Sequence, residues 1–178
     1  MRKVVVYELL SLDGVAESPD EFIEWDDVLD DNLGRVIGSQ DAVLLGRGTY
    51  DEWARFWPGS GIGIEPFAPF INRVDKYVFT STKPAEEWTN VTVVDGDLAA
   101  FVTNLKQQGG GDIGVHGSIT LAQGLIEGDL VDELRLVVAP IAQMHGRRLF
   151  DRGTAKRFTL TRSVTTPSGY LLLDYAAR

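Results

Sequence analysis

Residues 42–50, Ala42-Val43-Leu44-Leu45-Gly46-Arg47-Gly48-Thr49-Tyr50, carry an apolar run into a turn built of glycine, arginine and threonine. The run reads as a strand buried on both faces, as in a parallel sheet covered by helices. Gly46 and Gly48 allow a tight turn and a close approach of backbone to ligand, because no Cβ stands in the way. Tyr50 to Phe56 has helical spacing, so the free N–H groups and positive dipole end of that helix face the turn. With the Arg47 guanidinium and the Thr49 hydroxyl, these amides make an anion site suited to phosphate. A plain strand-to-helix turn with a surface arginine has the same composition. A second turn of this kind, at Gly117-Ser118, favours the phosphate reading.

That second unit is Ile113-Gly114-Val115-His116-Gly117-Ser118, followed by Ile119, Leu121, Ala122, Leu125 and Ile126 at helical positions with Thr120 in the first turn. It too offers a helix N-terminus to an anion. His116, at the strand end, reads as a packed or hydrogen-bonded strand residue rather than a catalyst. The only other histidine is His145, and no ligand spacing links the two, which excludes a histidine metal site. Lys3 to Leu10 is rich in β-branched residues and reads as a central strand ending in the turn Ser11-Leu12-Asp13-Gly14. Sheet-based ligand sites are built from strand ends of this kind. Lys76 to Thr80 is a further strand, emptying into Ser81-Thr82-Lys83, where hydroxyls and a lysine serve either a phosphate or an ordinary turn.

Between these units, Ser18-Pro19-Asp20-Glu21 reads as a helix start, with Ser18 capping, Pro19 in the first position and Glu21 completing a capping box. Phe22, Trp25, Leu29, Leu33 and Ile37 then face a core, and Gly38 or Ser39 ends the helix. Capping accounts for Glu21; a catalytic carboxylate is its second reading. Trp57 to Pro69 is a proline- and glycine-punctuated loop, with Trp53 and Trp57 packed in the core or lining a pocket. Val91 to Val94 is a strand, Leu98 to Leu105 a helix, and Gly109 to Gly111 a flexible turn. Leu134 to Ile141 is a strand stopped at Pro140, and Phe158–Val164 with Tyr170–Tyr175 form a hairpin. The alternation predicts one α/β domain over residues 1–178, its mixed, mainly parallel sheet flanked by helices and closed by a C-terminal antiparallel hairpin.

Composition narrows the function. A chain of 178 residues with 44% hydrophobic content can bury a substantial core. A net charge of -9 without a basic stripe excludes nucleic acid as a partner, and means that any phosphate must be held by local cations such as Arg47. Without cysteine there is no disulfide, thiolate zinc site or cysteine nucleophile. The N-terminal apolar run is short and broken by Glu8, and no run approaches the ~20 residues of a membrane span, which points to a cytoplasmic protein.

Ser11-Leu12-Asp13-Gly14, Leu45-Gly46-Arg47-Gly48-Thr49-Tyr50, Val115-His116-Gly117-Ser118 and Leu130-Val131-Asp132-Glu133-Leu134 with Ala139-Pro140 stand in a telling order. From Lys3 to Tyr175 the chain resembles the dihydrofolate-reductase-like superfamily. It looks closest to the reductase (C-terminal) domain of the riboflavin-biosynthesis bifunctional deaminase-reductase, in a stand-alone form. The resemblance implies a single-domain dihydrofolate-reductase-like fold, and an NADPH-dependent reductase that passes hydride to a small heterocycle, pteridine- or aminopyrimidine-like. The alternative it leaves is an NADP-binding regulatory or assembly domain without turnover. Carried onto this chain, it places Gly46, Arg47, Gly48 and Thr49 at the dinucleotide phosphates, with Arg47 near the adenosine 2′-phosphate and Ser81 and Thr82 on the adenosine side. Gly117, Ser118, Ile119 and Thr120 fall under the pyrophosphate. Ser11, Asp13 and Gly14 fall near the nicotinamide and substrate, with Asp13 as the polar group at the reacting end. Glu21 falls near the carboxylate that dihydrofolate reductases carry on their first long helix. Arg47 with Ser81, Thr82 and Lys83 suits a 2′-phosphate, whereas a ribose hydroxyl is usually read by a carboxylate. Two departures stand out: Gln143-Met144-His145-Gly146 replaces a glycine-rich turn, and the deaminase motif with its cysteines is absent. The resemblance also implies a homodimer, with strand Leu134–Ile141 extending or packing across the interface.

Overall fold

β1 (Val4–Leu10) lies in the middle of the sheet because both its faces are apolar: Val4, Val5 and Val6 are wholly buried. The computed structural model describes all 178 residues. The other strands are β2 (Gln40–Gly46), β3 (Asp75–Phe79), β4 (Val91–Val94), β5 (Asp112–His116), β6 (Glu133–Val138), β7 (Phe158–Thr165) and β8 (Leu171–Ala177). They form one sheet in the order β4-β3-β2-β5-β1-β6-β8-β7. β1 to β6 are joined by parallel pairings, and β8 runs antiparallel between β6 and β7.

Helices α1 (Asp27–Ile37), α2 (Arg47–Phe56) and α3 (Phe67–Arg73) cover one face; α4 (Leu98–Gln107) and α5 (Ile119–Glu127) cover the other. On the first side, Leu29, Leu33 and Val36 pack with Tyr50, Phe67 and Ile71 onto Tyr7, Val43, Leu45 and Val78. On the second, Val102, Leu105, Leu121 and Leu125 pack onto Val4, Val6, Leu44 and Val115. This explains the unbroken run Val43-Leu44-Leu45: successive side chains point to opposite faces, and a helix waits on each. Leu44 and Leu45 are fully buried, so truncating either to alanine would cost about 2–5 kcal/mol.

Two buried ionisable groups stand out. Lys76 ends in the last turn of α3, where its ammonium donates to the carbonyls of Ile71 at 2.8 Å and Val74 at 2.7 Å above the Trp88 ring. Burial pushes its pKa down to about 8. Glu8 shares a face of β1 with Val6 and Leu10, and its Oε1 is buried with no hydrogen-bond partner. Burial pushes this carboxyl up to about 8.

Several expectations are corrected. Ser18 sits at φ 47 and makes no cap bond; Pro19–Glu21 is one 3-10 turn, and α1 begins eight residues later than read, capped by Asp26 through the Leu29 amide at 2.9 Å. Trp25, outside the helix, is 46% exposed. The loop after Trp57 gives way to a helix at Phe67, whose Phe67, Phe70 and Ile71 are core residues. The strand read as Leu134–Ile141 ends at Val138, and both its edges are taken, by β1 and by β8. It therefore cannot extend the sheet into a second copy; the edges are β4 and β7.

Candidate active site

Because β1, β2, β3, β5 and β6 are parallel, the segments leaving their C-terminal ends share one edge of the sheet. Across that edge lie residues 80–82 after β3, 46–49 after β2, 117–120 after β5, 11–14 after β1 and 139–148 after β6. The chain goes from β1 outward to β2, β3 and β4, then returns to insert β5 beside β1. The turns at the β2–β5–β1 boundary thus occupy a topological switch point, where open α/β sheets bind ligands. Two grooves, of about 420 Å³ beside α5 and about 500 Å³ beside Trp88, contain no residue of these turns and play no part in this site.

At the first turn, Gly46 precedes α2 in extended conformation and Arg47 opens the helix. The Arg47 side chain is already committed: Nε donates to Asp51 Oδ2 at 2.7 Å, and one terminal nitrogen to Thr82 Oγ1 at 2.8 Å and Thr82 O at 3.0 Å. It therefore ties the β2 turn to the β3 loop, and Asp51 offsets part of its charge. Sequence spacing brings Arg47 and Thr82 to neighbouring strand ends; the ion pair with Asp51 is the ordinary i,i+4 partner on the helix. A Cβ at Gly48 would meet no atom within 4 Å, so the backbone there is open to a ligand. Ser81 and Thr82 are exposed beside it.

The second turn sits against the first. Gly46 N donates to Ser118 Oγ at 3.0 Å, and the Thr49 hydroxyl lies 3.5 Å from the Gly117 carbonyl. Ser118 is buried, so its hydroxyl joins the two turns instead of facing a ligand, and Ile119 can offer only its backbone, its side chain being core. Gly117 adopts φ +65, and Trp53 flanks it: a Cβ there would stand 3.4 Å from the indole. The first bond of α5 runs from Ala122 N to Ser118 O, and no side chain caps the helix. The amides of Ile119, Thr120 and Leu121 thus point outward without acceptors.

Asp13, read in the sequence as the polar group at the reacting end, is tied into the loop after β6. Its carboxylate accepts from Ser11 Oγ at 2.7 Å, Gln143 N at 2.9 Å, Met144 N at 3.0 Å and Arg148 at 3.0 Å. The Ser11 hydroxyl first, then the Gln143 amide, hold its pKa well below the usual carboxylate range. Its lone pairs are occupied and it stays ionised, so it is unsuited to donating a proton. Ser11 is buried, its hydroxyl also accepting the Val15 amide, and Gly14 takes φ +82 so that its carbonyl can receive Leu149 N. The three residues build the loop.

Glu21 is exposed and neither caps nor pairs. The first long helix is α1, and its least exposed acid is Asp30, which sequence reading passed over. Asp30 is half-buried, and its carboxyl is raised by desolvation first and by Asp27 second. Its charge reaches Tyr7, whose phenol burial pushes up and whose hydroxyl is enclosed without a hydrogen-bond partner. Tyr7 packs at a tilt against His116, ring centres 5.6 Å apart, and His116 packs on Phe67 and bonds Gln40 through Nε2 at 2.8 Å. Burial drives the His116 imidazole down to about 3, so it is neutral, as a packed strand residue should be. Knowing that α1 starts at Asp27 was the missing signal; a register set from Ser18 cannot single out Asp30.

The model of the RibD C-terminal domain matches residues 2–172. The chain belongs to that family. Among relatives, the uncharacterized protein YwjB of Bacillus subtilis (strain 168) is 30% identical over 155 residues, covering 84% of this chain and 83% of that protein. Its compatriot YyaP is 27% identical over 154 residues, covering 84% and 80%. A putative riboflavin biosynthesis protein from Shewanella sp. PV-4 superimposes with TM-score 0.78 at 20% identity over 99% of both chains. A pyrimidine reductase-like protein from Corynebacterium diphtheriae gives 0.70 at 16% identity, over 99% of this chain and 92% of that one. These likenesses establish the fold of a RibD reductase domain for this chain. No helix is long and apolar enough to cross a membrane.

Proposed function

We propose that the protein is an NADPH-dependent reductase of a small heterocycle of the pyrimidine or pteridine kind. The observation that carries this reading is the pair of joined turns at the switch point. Gly48 leaves its backbone open, the first amides of α5 are free, and Arg47 stands beside the hydroxyls of Thr80 and Thr82. These features fit a dinucleotide laid across the sheet edge, the adenosine 2′-phosphate by Arg47, Ser81 and Thr82, the pyrophosphate by Gly117 to Thr120, and the nicotinamide toward residues 11–14. From β3 to β1 is three strand spacings, about 14 Å. The name of a Thermotoga maritima relative in structure, a deaminase/5-amino-6-(5-phosphoribosylamino)uracil reductase of which this chain covers 57%, supports the substrate class.

When bound, the cofactor supplies the hydride; the protein binds, orients and supplies the proton. Arg47, fixed on Thr82, reads the phosphate that distinguishes NADPH from NADH. We assign the proton to Asp30, the least exposed acid of α1, whose carboxyl desolvation raises. The test is a titration with NADPH and NADH in parallel, read by tryptophan fluorescence, Trp53 lying against Gly117. NADPH should bind at least tenfold tighter, about 1.4 kcal/mol, and Arg47→Ala should erase most of that preference. Binding of neither dinucleotide overturns the reading.

A further inference from the structure

The loop after β6 is strapped over residues 11–16, and it brings with it a cation that has no acid partner. Leu12 N donates to Ile141 O at 2.7 Å, Ala16 N to Arg147 O at 2.9 Å and Leu149 N to Gly14 O at 3.2 Å. Asp13 closes the strap by taking the amides of Gln143 and Met144 and the Arg148 guanidinium. Gly146 bends it at φ +95 where a Cβ would stand 2.9 Å from Val15 Cγ1. From this strap Arg147 reaches across to α5, and its Nη2 donates to Thr120 Oγ1 at 2.7 Å. Arg47 is paired with Asp51, Arg55 with Glu86, Arg148 with Asp13 and Arg152 with Glu127; Arg147 forms no ion pair, since Glu17 takes only its backbone amide. In a chain of net charge -9, an exposed arginine with no acid partner has its charge available for a ligand. It stands beside the one turn to which the dinucleotide reading assigns a pyrophosphate.

We propose that Arg147 is the counter-charge for the pyrophosphate of the bound dinucleotide, and that Asp13 is the positioning residue that carries it there. This rests on the dinucleotide reading above and gives the loop over residues 143–148 a role. The free amides of α5 take one phosphate and the guanidinium the other. The strap couples the β1 turn, where the acceptor reacts, to the β5 turn, where the cofactor is held.

NADPH and NADH titrations of the full chain test this, with circular dichroism to confirm that each variant is folded. Arg147→Ala should weaken both dinucleotides by the same factor, about tenfold or more, because both carry the pyrophosphate, and should reduce the salt dependence of binding. Asp13→Asn should weaken both as well, and the double variant should bind no worse than Arg147→Ala alone. Arg148→Ala, which opens the same clamp from its other end, should reproduce Asp13→Asn should that variant fail to fold. Wild-type binding that Arg147→Ala leaves within twofold overturns the proposal while leaving the cofactor reading intact. Losses that add in the double variant overturn the positioning role of Asp13. If the wild-type protein binds neither dinucleotide, the cofactor reading falls and this proposal falls with it.

Discussion

Replacing Glu8 by glutamine should stabilise the protein, and by an amount that depends on pH. Glu8 is 2% exposed, has no partner for Oε1, and titrates near 8 in the fold against 4.5 when unfolded. Below pH 4.5 both states hold the proton and the side chain costs nothing in ionisation. As pH rises from 4.5 to 8, only the unfolded state releases it, so stability is lost steadily across that window. At pH 7 the loss spans two and a half pH units, which at about 1.36 kcal/mol each is about 3 kcal/mol. Glutamine keeps the shape and neutrality of the protonated acid and cannot ionise. Its buried amide is no better satisfied, so the two costs of burying an unpaired polar group largely cancel. For a domain of this size Glu8→Gln should raise Tm by roughly 6–12 °C at pH 7. The assay is thermal and urea denaturation of both proteins from pH 4.5 to 8.5. The curves should meet at the acid end and diverge upward. A constant offset at every pH would show that Glu8 is ionised in the fold, or partnered, and would refute the reasoning.

Two further outcomes follow from the corrected α1. Asp26→Ala removes the cap on the Leu29 amide and the bond to Ser168, and should cost about 1 kcal/mol; Ser18→Ala and Glu21→Ala should each stay within about 0.5 kcal/mol, and an equal loss at Ser18 would restore the earlier helix start. Asp30→Asn should lower kcat by about 100-fold or more and abolish the fall in rate as pH rises through the Asp30 pKa, leaving NADPH binding unchanged; an unaltered pH–rate profile would remove Asp30 from the chemistry.

The sheet was legible because its signals are local. The runs Val4 to Leu10 and Ala42 to Leu45 carry their own burial, and the glycines at 46 and 117 mark where each strand must turn. What escaped is set by distant partners. Ser18-Pro19-Asp20-Glu21 has every local feature of a capping box, yet Ser18 is held at φ 47 and the cap falls to Asp26, which Ser168 steadies from the hairpin between β7 and β8. Asp13 was noticed as a polar loop residue, but its role depends on Arg148, 135 residues along the chain. Arg47 was read as a phosphate-binding cation beside Ser81 and Thr82, but the Asp51 carboxylate that already pairs with it was not read. Local pattern shows where a charged group lies; only the packed structure shows what it is already bonded to.

The hydrogen bond from Gly46 to the Ser118 hydroxyl joins residues 72 apart into one rigid block. In the dinucleotide site proposed above, such a block works as a ruler: the turn assigned one phosphate is held at a set distance from the turn assigned the other. A ligand that spans both gains from the first contact a high effective concentration at the second, whereas its two halves offered separately must each bear the full entropic penalty of association. On that proposal the fold selects for length as well as for charge, through a serine whose hydroxyl is spent on joining the two turns.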